Sequence, residues 1–449
     1  MNRDLEKPQL SLGFIPLTDC APLVVAQEMG FFAEHGLRVQ LSKETSWANI
    51  RDKLAIGVLD GAQLLAPMAV ASQLGLGPLD RPVVTALSLD LNGKAITVSE
   101  ALYRRLQAED PAAAGDPLAA ARALKAVIEA DRATGRPPLS FATVFPYSSH
   151  HYLLRYWMAA GGIDPDRDLR LIVIPPPQMV SQLERGAIDG YCVGEPWNSL
   201  AVRAGLGRVL ACDDRIWNNS PEKVLGVNEE WAEQYPRTHL ALVRALLEAL
   251  RWLDEPANRP EAVELIAQAR YLDAPADVIR MAMLGTFQYA RNEFPRTSPD
   301  FHVFHRYAAN FPWRSQALWQ LTQMLRWGQV PAPLDLQAVA SRTYRPEIYR
   351  RAAADLGIGS PARDYKTEGG HAAPWVLTGG AGESIPMGAD RFFDGRRFDP
   401  GAPLAYLQGF EISHPGVDLA ALARLNPRWT REQQAELLAV EPPPPAVGL

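Results

Sequence analysis

The sequence predicts an α/β protein built around parallel β-sheet, and two stretches carry that prediction. Residues 139–193 read as strand, helix, strand, helix and strand, and residues 10–41 read as strand, helix and strand. Regular alternation of strands and helices is typical of parallel sheets that are covered by helices. Because a chain of 449 residues is too long for one hydrophobic core, we expect two or three domains.

The first hundred residues predict one such unit, followed by shorter elements. Pro22 stands at a favoured early position of a helix, and Gly36 stands just past the expected helix end. The Asn92-Gly93 pair predicts a turn inside the stretch 89–98. The expected strands cover 10–15, 37–41, 62–65 and 82–87, and the expected helices cover 22–35, 48–58 and 68–74.

The middle of the chain predicts the second unit. The alanine-rich stretch 100–135 reads as helix that an Asp-Pro pair interrupts, as in a surface insertion. Ser148 or Ser149 is a favoured cap for the next helix, which the Gly161-Gly162 pair ends. The apolar run 169–174 predicts a buried strand. The other elements expected here are a strand at 139–144, a helix at 178–185 and a strand at 188–193.

Beyond residue 227 the sequence predicts mostly helix. Residues 229–253 show a wide amphipathic stripe, and similar patterns cover 260–270, 275–283, 314–328 and 335–339. From about Gly357 onward glycine and proline become frequent and the helical period fades. We therefore expect an extended tail packed on the body, which ends in the prolines at 442–445 and has its last few residues disordered.

Composition excludes some classes of function. The formal net charge of −6 gives no basic surface for nucleic acid, so no direct nucleic-acid binding is predicted. The three cysteines, Cys20, Cys192 and Cys212, form no C-x-x-C pair and predict no disulfide framework. The amino-terminal residues contain no signal-peptide core or lipobox cysteine, and no apolar run is long enough to span a membrane. The prediction is a cytoplasmic protein, or a periplasmic one if the natural amino terminus has been trimmed.

Enzyme signatures are missing from the sequence. It contains no P-loop, no G-x-S-x-G elbow, no H-E-x-x-H motif and no G-x-G-x-x-G after a strand. The neighbouring residues His150 and His151 do not have the i, i+4 spacing of a helical metal pair. We therefore predict no enzyme activity, no cofactor and no metal.

Parallel sheets bind ligands beyond the carboxyl ends of their strands. Residues at such ends are therefore candidates for a binding site, although a packing role is favoured for two of them, Glu195 and Trp197. The candidates are His150, Pro176, Glu195, Trp197 and Lys223.

Eight motifs, spread from about residue 9 to residue 412, resemble one known family. Each motif is weak alone, but their order along nearly the whole chain is specific. They are LTDCAPLVVAQEMGFFAEHGLRVQL, SWANIRDKLAIGVLDGAQLLAPM, LNGKAITVS, HHYLLRYWMAAGGIDPDRDL, IPPPQMV, GEPW, PEKVLGV and RFFDGRRFDPGAPLAYLQGFEI. The set resembles the nitrate- and bicarbonate-binding proteins of ABC transporters and their soluble sensor relatives.

This resemblance implies a two-lobed clamp of the periplasmic-binding-protein type (type II), with the anion held between two α/β lobes. One lobe would consist of residues 9–92 and 228–355, and the other of residues 93–227. Residues 356–449 would form a tail that wraps the body. The strands at LNGKAITV and VLGVN would form the hinge between the lobes.

The resemblance also implies a binding pocket. Carried over position by position, the pocket of the nitrate-binding members falls on Trp47, Lys94, His150, Pro176 and Lys223. His150 follows FPYSS, Pro176 is the second proline of PPPQ, and Lys223 stands in PEKVLG. The family usually has glutamine where this chain has Lys94, which either makes a second positive contact or reaches solvent.

The chemistry of these residues suits nitrate. Nitrate is planar, singly charged and accepts hydrogen bonds only, so a buried site must offer donors and a compensating positive charge. Lys223 would supply the charge and Trp47 an indole N–H, while His150 at a helix amino terminus would add a donor. Bicarbonate needs an acceptor for its O–H, and the bicarbonate branch of the family has an acidic residue where Lys223 stands. The lysine therefore favours nitrate or nitrite.

Three functions could use such a clamp. The prediction is a cytoplasmic nitrate sensor of nitrate assimilation, which holds an RNA-binding antiterminator protein when empty and releases it when loaded. The alternative is the solute-binding component of a nitrate ABC transporter with a permease as its partner, and bicarbonate binding is a second alternative. Pyrimidine-precursor synthases of thiamine biosynthesis share the clamp fold. Such an enzyme would need a pyridoxal-phosphate lysine and a histidine–cysteine cluster that the sequence does not show.

Overall fold

The computed structural model describes residues 5–439 of the chain. Its strands are β1 (Gln9–Phe14), β2 (Arg38–Lys43), β3 (Gly61–Leu65), β4 (Val83–Ser88), β5 (Leu91–Asn92), β6 (Lys94–Ser99), β7 (Ser140–Thr143), β8 (Arg170–Val173), β9 (Gly190–Gly194), β10 (Gly207–Cys212), β11 (Lys223–Asn228), β12 (Thr286–Phe287), β13 (Arg296–Thr297), β14 (His302–Val303), β15 (Trp375–Thr378) and β16 (Ser384–Met387).

The α-helices alternate with these strands in the first half of the chain and dominate the second half. They are α1 (Ala21–Glu28), α2 (Phe31–Glu34), α3 (Trp47–Ala55), α4 (Ala66–Gln73), α5 (Glu100–Glu109), α6 (Pro117–Ala133), α7 (Ser149–Ala160), α8 (Met179–Glu184), α9 (Trp197–Ala204), α10 (Glu229–Gln234), α11 (Pro236–Asp254), α12 (Arg259–Ile266), α13 (Ala276–Met283), α14 (Arg314–Arg326), α15 (Leu336–Thr343), α16 (Pro346–Asp355), α17 (Pro403–Gln408), α18 (Leu419–Leu425) and α19 (Arg431–Leu437). Short 3₁₀ helices cover Thr18–Cys20, Pro111–Ala114, Pro176–Gln178 and Asp213–Arg215.

The first of two large sheets has five strands in the order β2-β1-β3-β11-β4. β1 runs parallel to β2 and β3, whereas β11 runs antiparallel to β3 and β4. Leu12 packs in one apolar cluster with residues of α1 and α11, and Leu64 packs in another with residues of α3. The sheet therefore buries both of its faces, which explains why every residue of β3 and β4 is buried.

The second large sheet has the order β10-β6-β9-β7-β8. β7, β8 and β9 are parallel neighbours, as the strand–helix alternation predicts, and β6 and β10 are antiparallel additions. The predicted α/β class is confirmed. Ser148 is the residue that caps α7, because its side chain accepts a hydrogen bond from the backbone N–H of His151 at 3.0 Å.

The prediction of a buried strand at 169–174 is wrong about burial. β8 is the last strand of its sheet and has only β7 as a neighbour. Ile172 is 40% exposed and Val173 is 50% exposed. A short apolar run is compatible with a buried strand or with an edge strand, and the hydrophobic pattern alone does not separate the two.

The chain passes from the first sheet to the second through β5 and Gly93, and it returns at Lys223, where β11 begins. Residues 223–227, which the expected lobe boundary places in the second lobe, therefore pair with strands of the first sheet. The predicted single helix at 22–35 is interrupted at Gly30, whose φ of 85° lies in the left-handed region.

The described part of the expected tail, residues 356–439, packs on the body. Phe392, Phe398 and Tyr406 are buried in one cluster with α14 and with residues of the second sheet, such as Phe141. α14, which the expected division assigns to the first lobe, thus shares its core with the second sheet and the tail. The last few residues, where disorder is predicted, lie outside the described residues. None of the helices found in residues 5–439 has the length and apolar character needed to cross a membrane.

Candidate functional site

The strand ends of the two sheets meet at a common boundary. Thr18, just beyond β1, donates its backbone N–H to the backbone oxygen of Glu195, just beyond β9, at 2.8 Å. A Cβ atom at Gly194 would lie 3.4 Å from Asp19 Oδ2. We call this boundary the cleft. It is lined by loops that follow the carboxyl ends of parallel strands, which is where α/β sheets bind ligands.

Lys223 lies at the centre of this boundary. Its Nζ is 2.7 Å from Asp19 Oδ2, contacts Glu222 Oε1 and lies 5.5 Å from the centroid of the Trp47 ring. Burial alone would lower the pKa of Lys223, but the carboxylates of Asp19, Glu222 and Asp90 outweigh it and raise the pKa. Lys223 is therefore a buried, permanently charged ammonium group.

Lys94 is a second buried ammonium group in the same place. Its Nζ donates to Asp213 Oδ2 at 2.8 Å and to Ser220 Oγ at 3.2 Å, and it lies 2.6 Å from Glu222 Oε2. Burial would lower the pKa of Lys94, but Asp213 and Glu222 raise it. Of the two roles expected for Lys94, the structure shows a second positive charge in the cluster and no access to solvent.

Glu222 links the two lysines. Its Oε1 contacts Lys223, its Oε2 contacts Lys94, and the hydroxyl of Ser149 donates to Oε2. Burial favours the protonated form of Glu222, but the charges of the two lysines, and a proton on His150 when present, hold its pKa well below the usual range. Glu222 is thus an ionised carboxylate that the resemblance does not place in the pocket.

Three further carboxyl groups complete the cluster, which we call the cleft cluster: Lys94, Lys223, Glu222, Asp19, Asp90 and Asp213. Burial raises the pKa of Asp19, of Asp90 and of Asp213. Asp90 Oδ1 accepts from the backbone N–H of Lys223 at 2.9 Å, while Asp90 Oδ2 has no hydrogen-bond partner among the described residues.

Two hydrogen-bond donors at the cluster lack partners. Trp47 Nε1, an N–H that only donates, is buried without a hydrogen bond to any described residue. The same holds for both ring nitrogens of His150, although His150 Nε2 lies 3.3 Å from Glu222 Oε1. Burial lowers the pKa of His150 to about 3, so the ring is neutral and carries one N–H. Unmade hydrogen bonds of buried donors are costly, so this part of the cleft favours a ligand that accepts hydrogen bonds.

Pro176 opens the 3₁₀ helix that follows β8 and is buried. Its neighbours Ile174 and Met179 pack in the same apolar cluster as Trp47. Pro176 therefore borders the Trp47 side of the cleft through its neighbours, and its contact with a ligand stays a prediction.

The structure brings four of the five predicted residues together. Trp47 and Lys223 belong to elements of the first sheet, and Lys94 and His150 belong to elements of the second. All four are buried, with exposed fractions of 0 to 1%. The site is thus complete only when the two sheets are closed on each other.

The structure adds two carboxylate partners to the expectation about Lys223. The sequence interpretation gave Lys223 the task of compensating the charge of the anion. In the structure two carboxylates, Asp19 and Glu222, already engage that charge. The reason is desolvation, because a buried ammonium group without a carboxylate partner is very costly in a closed cleft.

The sequence interpretation missed the carboxyl groups of the cleft cluster. Asp19 and Asp90 follow strand ends of the first sheet, and Glu222 directly precedes Lys223. Their positions just after or just before a strand of the first sheet could have indicated that all three lie near the site. Asp213 lies in a 3₁₀ helix between two strands, and nothing in the pattern marks it as a neighbour of Lys94.

Side chains that could hold a metal ion are grouped at one place in the described part of the chain. Asp164, Asp166 and His414 each offer one ligand atom within 4.8 Å of the others. Arg155 Nη1 already donates to Asp166 Oδ2 at 2.9 Å, and His414 Nε2 lies 2.9 Å from Asp164 Oδ2. These side chains satisfy one another as a surface ion-pair group, and we assign no metal to them.

Comparison with known proteins places this chain in a family. The sequence profile of the NMT1-like family matches residues 3–267. The nitrate import ATP-binding protein NrtC of Synechocystis sp. is 42% identical over 412 residues, which cover 91% of this chain and 56% of NrtC. The bicarbonate transport ATP-binding protein CmpC of Synechococcus elongatus is 40% identical over 427 residues, which cover 94% of this chain and 58% of CmpC. The chain thus spans little more than half the length of these two relatives.

A solved structure covers the fold more completely. The crystal structure of the periplasmic nitrate-binding protein NrtA from Synechocystis PCC 6803 matches with a TM-score of 0.79 at 30% identity. The match covers 91% of this chain and 100% of NrtA. The fold and the cleft between its sheets define a protein of the periplasmic-binding-protein class, as the motifs predict.

Within that class the chain belongs to the NMT1-like family. Its homologues include NrtA, NrtC and CmpC, so the resemblance to the nitrate- and bicarbonate-binding proteins of ABC transporters is confirmed.

Proposed function

We propose that this chain binds a small planar oxyanion, nitrate or nitrite, between its two sheets. In this proposal it serves as the solute-recognition part of an ABC-type import system, without enzyme activity of its own. Closure of the two lobes on the anion would report that the site is loaded.

The observation that carries the proposal is the pair of unpartnered donors. Trp47 Nε1 and the His150 ring are buried. Trp47 begins α3, which packs on β3 and β11 of the first sheet, and His150 lies in α7, which packs on β9 of the second. An acceptor-only anion that bridges them would supply both missing hydrogen bonds at once. Hydrogen bonds to a charged group contribute roughly 1.5–3 kcal/mol each, so a few such contacts are enough for micromolar binding after the costs of association.

The charge of the cleft cluster sets a second requirement. Two ammonium groups face four carboxyl groups. A bound anion adds one more negative charge to a cluster whose two ammonium groups already engage carboxyl groups. A proton on His150 offsets that charge, because a nearby anion raises the pKa of an imidazole. Nitrate binding should therefore take up protons.

The transporter function has more support than the sensor function. The relatives named above are an import ATP-binding protein, a bicarbonate transport protein and a periplasmic binding protein. None of these names points to an antiterminator partner or to a cytoplasmic sensor. We therefore propose an ABC permease as the partner, and the periplasmic alternative as the location that fits NrtA.

Bicarbonate is the second candidate ligand, and one observation favours it. Asp90 Oδ2 is a buried acceptor without a partner, and it would suit the O–H that bicarbonate has and nitrate lacks. CmpC, whose name includes bicarbonate transport, is nearly as similar to this chain as NrtC is. Nitrate remains the first candidate because it needs only the donors that Trp47 and His150 offer.

Calorimetric titration of the full chain with sodium nitrate, sodium nitrite and sodium bicarbonate tests the proposal, with sodium chloride as the control for ionic strength. We expect saturable one-to-one binding of nitrate or nitrite in the micromolar range. Binding of bicarbonate alone would replace the first candidate with the second. No binding of any of the three anions would contradict an anion site in the cleft.

A further inference from the structure

The loop between β10 and β11, residues 213–222, carries three groups of the cleft site. Asp213 and Glu222 engage Lys94, and Ser220 accepts a hydrogen bond from Lys94. The position of this loop therefore decides where the ammonium group of Lys94 lies, and, through Glu222, where that of Lys223 lies.

A segment of the tail, residues 389–394, holds this loop by its backbone. The backbone N–H of Asn218 donates to Arg391 O at 3.0 Å, and the backbone N–H of Phe393 donates to Ile216 O at 2.8 Å. The Asn219 side chain donates to Ala389 O at 2.6 Å. We call residues 389–394 the buttress.

Trp217 anchors the loop to the buttress by its side chain. Its Nε1 donates to Asp390 Oδ1 at 2.8 Å, and its ring stacks on Phe392 with centroids 4.6 Å apart. Asp390 is fixed in turn by Lys366, at 2.7 Å, and by the backbone N–H of Gly369, at 2.9 Å. Both Trp217 and Asp390 are buried, so the anchor has little freedom to move.

The same buttress also holds α7, whose first turn carries Ser149 and His150. The hydroxyl of Tyr156 lies 2.9 Å from Asp394 Oδ2, and its ring lies 5.5 Å from the Phe392 ring. A single short segment thus contacts both elements that bring His150 and Glu222 together in the cleft.

We propose that the buttress positions the anion site, so that Trp217, Asp390 and Tyr156 are positioning residues for ligand binding although none of them lines the cleft. This inference rests on the proposed function for its ligand. It extends that function by making the tail part of the recognition machinery, through the loop on one side and α7 on the other.

Two conservative substitutions test the proposal in the full chain. Trp217→Phe keeps an aromatic ring and removes the N–H that donates a hydrogen bond to Asp390. Tyr156→Phe removes the hydroxyl that donates a hydrogen bond to Asp394. The matched control is Trp231→Phe, because Trp231 Nε1 also donates to a carboxylate, Asp60 Oδ1, at 2.9 Å, in the core of the first sheet. All three lose a buried hydrogen bond, but only the first two lose a contact with the buttress.

We expect sodium nitrate to bind about tenfold more weakly to Trp217→Phe and about threefold more weakly to Tyr156→Phe. The loss for Trp231→Phe should be less than twofold, because groups in contact with the buttress couple to the site more strongly than distant groups do. A double-mutant cycle of Trp217→Phe with Glu222→Gln should be non-additive by at least about threefold in nitrate affinity. A purely structural role predicts equal losses for Trp217→Phe and Trp231→Phe and an additive cycle, and either result would overturn the proposal.

The ligand-free protein gives an independent readout. If the wild-type chain binds none of nitrate, nitrite and bicarbonate, the proposed function fails. The positioning role is then tested with the same pair of substitutions, by measuring the thermal unfolding midpoints of the two single variants and the double variant. Non-additive unfolding midpoints for Trp217→Phe and Glu222→Gln would support a positioned loop, whereas additive midpoints would contradict it.

Discussion

Two buried lysine clusters in this molecule look alike in charge and differ in what surrounds them. The cleft cluster places Lys223 between Asp19 and Glu222. The tail cluster places Lys366 between Glu368 and Asp390. In each cluster burial would lower the pKa of the lysine, and the two carboxylates raise it. Charge pairing alone therefore does not distinguish a ligand site from a structural one.

The hydrogen bonds make the distinction. In the tail cluster all four carboxylate oxygens accept from protein groups, which are Lys366, Ser315, Trp217 and the backbone of Gly369. In the cleft cluster, Trp47 Nε1 and the His150 ring have no partner among the described residues. A closed site with unused donors is prepared for an acceptor, whereas a saturated cluster only holds elements together.

Buried atoms without a hydrogen-bond partner among the described residues also border the tail cluster, beside a small cavity. Asn219, Gln316 and Trp375, each with one buried atom that has no hydrogen-bond partner among the described residues, line a cavity of about 10 Å³. That volume suits one water molecule. The cavity therefore has the size and polarity of a structural water site.

The largest expected difference between the clusters comes from removing their lysines. Lys223→Met should abolish detectable nitrate binding, because it removes the ammonium group between Asp19 and Glu222 and leaves Asp19 without a charged partner where the anion binds. Lys366→Met should weaken nitrate binding by no more than about tenfold. Each substitution should reduce the free energy of unfolding by roughly 3–5 kcal/mol, since each breaks a buried ion pair.

Calorimetric titration with nitrate and chemical denaturation of both variants check this prediction. Equal losses of nitrate affinity in Lys223→Met and Lys366→Met would remove the functional distinction between the clusters.

The second prediction separates an unused donor from a used one. Trp47→Phe keeps the ring beside Lys223 and removes the unpartnered N–H, so nitrate affinity should fall roughly tenfold or more. The ligand-free protein should lose less stability than Trp231→Phe does, because no hydrogen bond is broken. The nitrate dissociation constant and the urea midpoint of each variant are the measurements. A greater loss of stability in Trp47→Phe would show that its N–H is already bonded.

The third prediction concerns pH. The pKa of His150 is lowered to about 3 by burial, against an ordinary value of 6.5. The unfolded chain therefore binds this proton more tightly than the folded chain, and the stability that neutral His150 contributes is lost as pH falls below about 6.5. His150→Asn should remove up to about 1.4 kcal/mol per pH unit of this dependence between pH 6 and pH 4.

His239 is the matched comparison, because burial lowers its pKa to about 4 in the core of the first sheet. His239→Asn should remove a similar acid dependence. Only at His150 should nitrate change the outcome, since a bound anion raises the pKa of this imidazole. Nitrate should thus stabilise the wild type more at pH 5.5 than at pH 7.5 in thermal unfolding, and the reverse order would contradict proton uptake.

The smallest effect is expected at Glu195, which caps α9 beside the cleft. Its Oε2 accepts from the backbone N–H of Ser199 at 3.1 Å, and burial raises its pKa to about 7. The stability from its protonated form is lost as pH rises through 7, by about 1 kcal/mol between pH 6 and pH 8. Glu195→Gln should flatten this part of the stability profile and change nitrate affinity less than twofold. If the free energy of unfolding, measured with urea, changes with pH in Glu195→Gln as it does in the wild type, the titrating group is not Glu195.

Much of this architecture is readable from the sequence because local signals agree with the fold. The strand–helix alternation around β7, β8 and β9 predicts their parallel sheet. The ordered motifs point to Trp47, Lys94, His150 and Lys223 as pocket residues, and the structure brings these four together. Their contact with an anion stays a prediction. Burial of β8 was misjudged because whether an apolar strand lies inside a sheet or at its edge depends on partners that are distant in sequence.

The charge balance of the site was not readable from the sequence. Asp19 and Lys223 are separated by 204 residues and lie 2.7 Å apart. Lys94 meets Asp213 because β6 and β10 pair in antiparallel fashion, with Ala95 opposite Cys212. The position of α14 shows the same limitation, since its amphipathic pattern predicts a helix but does not tell which lobe it packs on. Long-range pairing of this kind depends on the tertiary fold.

A crystal structure of the full chain grown with sodium nitrate tests the central claim most directly. The account predicts planar density between the two sheets, with nitrate oxygens about 2.7–3.2 Å from Trp47 Nε1 and from one ring nitrogen of His150. Nitrate bound elsewhere, or a cleft in which Trp47 and His150 remain without contact to the anion at saturating nitrate, would contradict it.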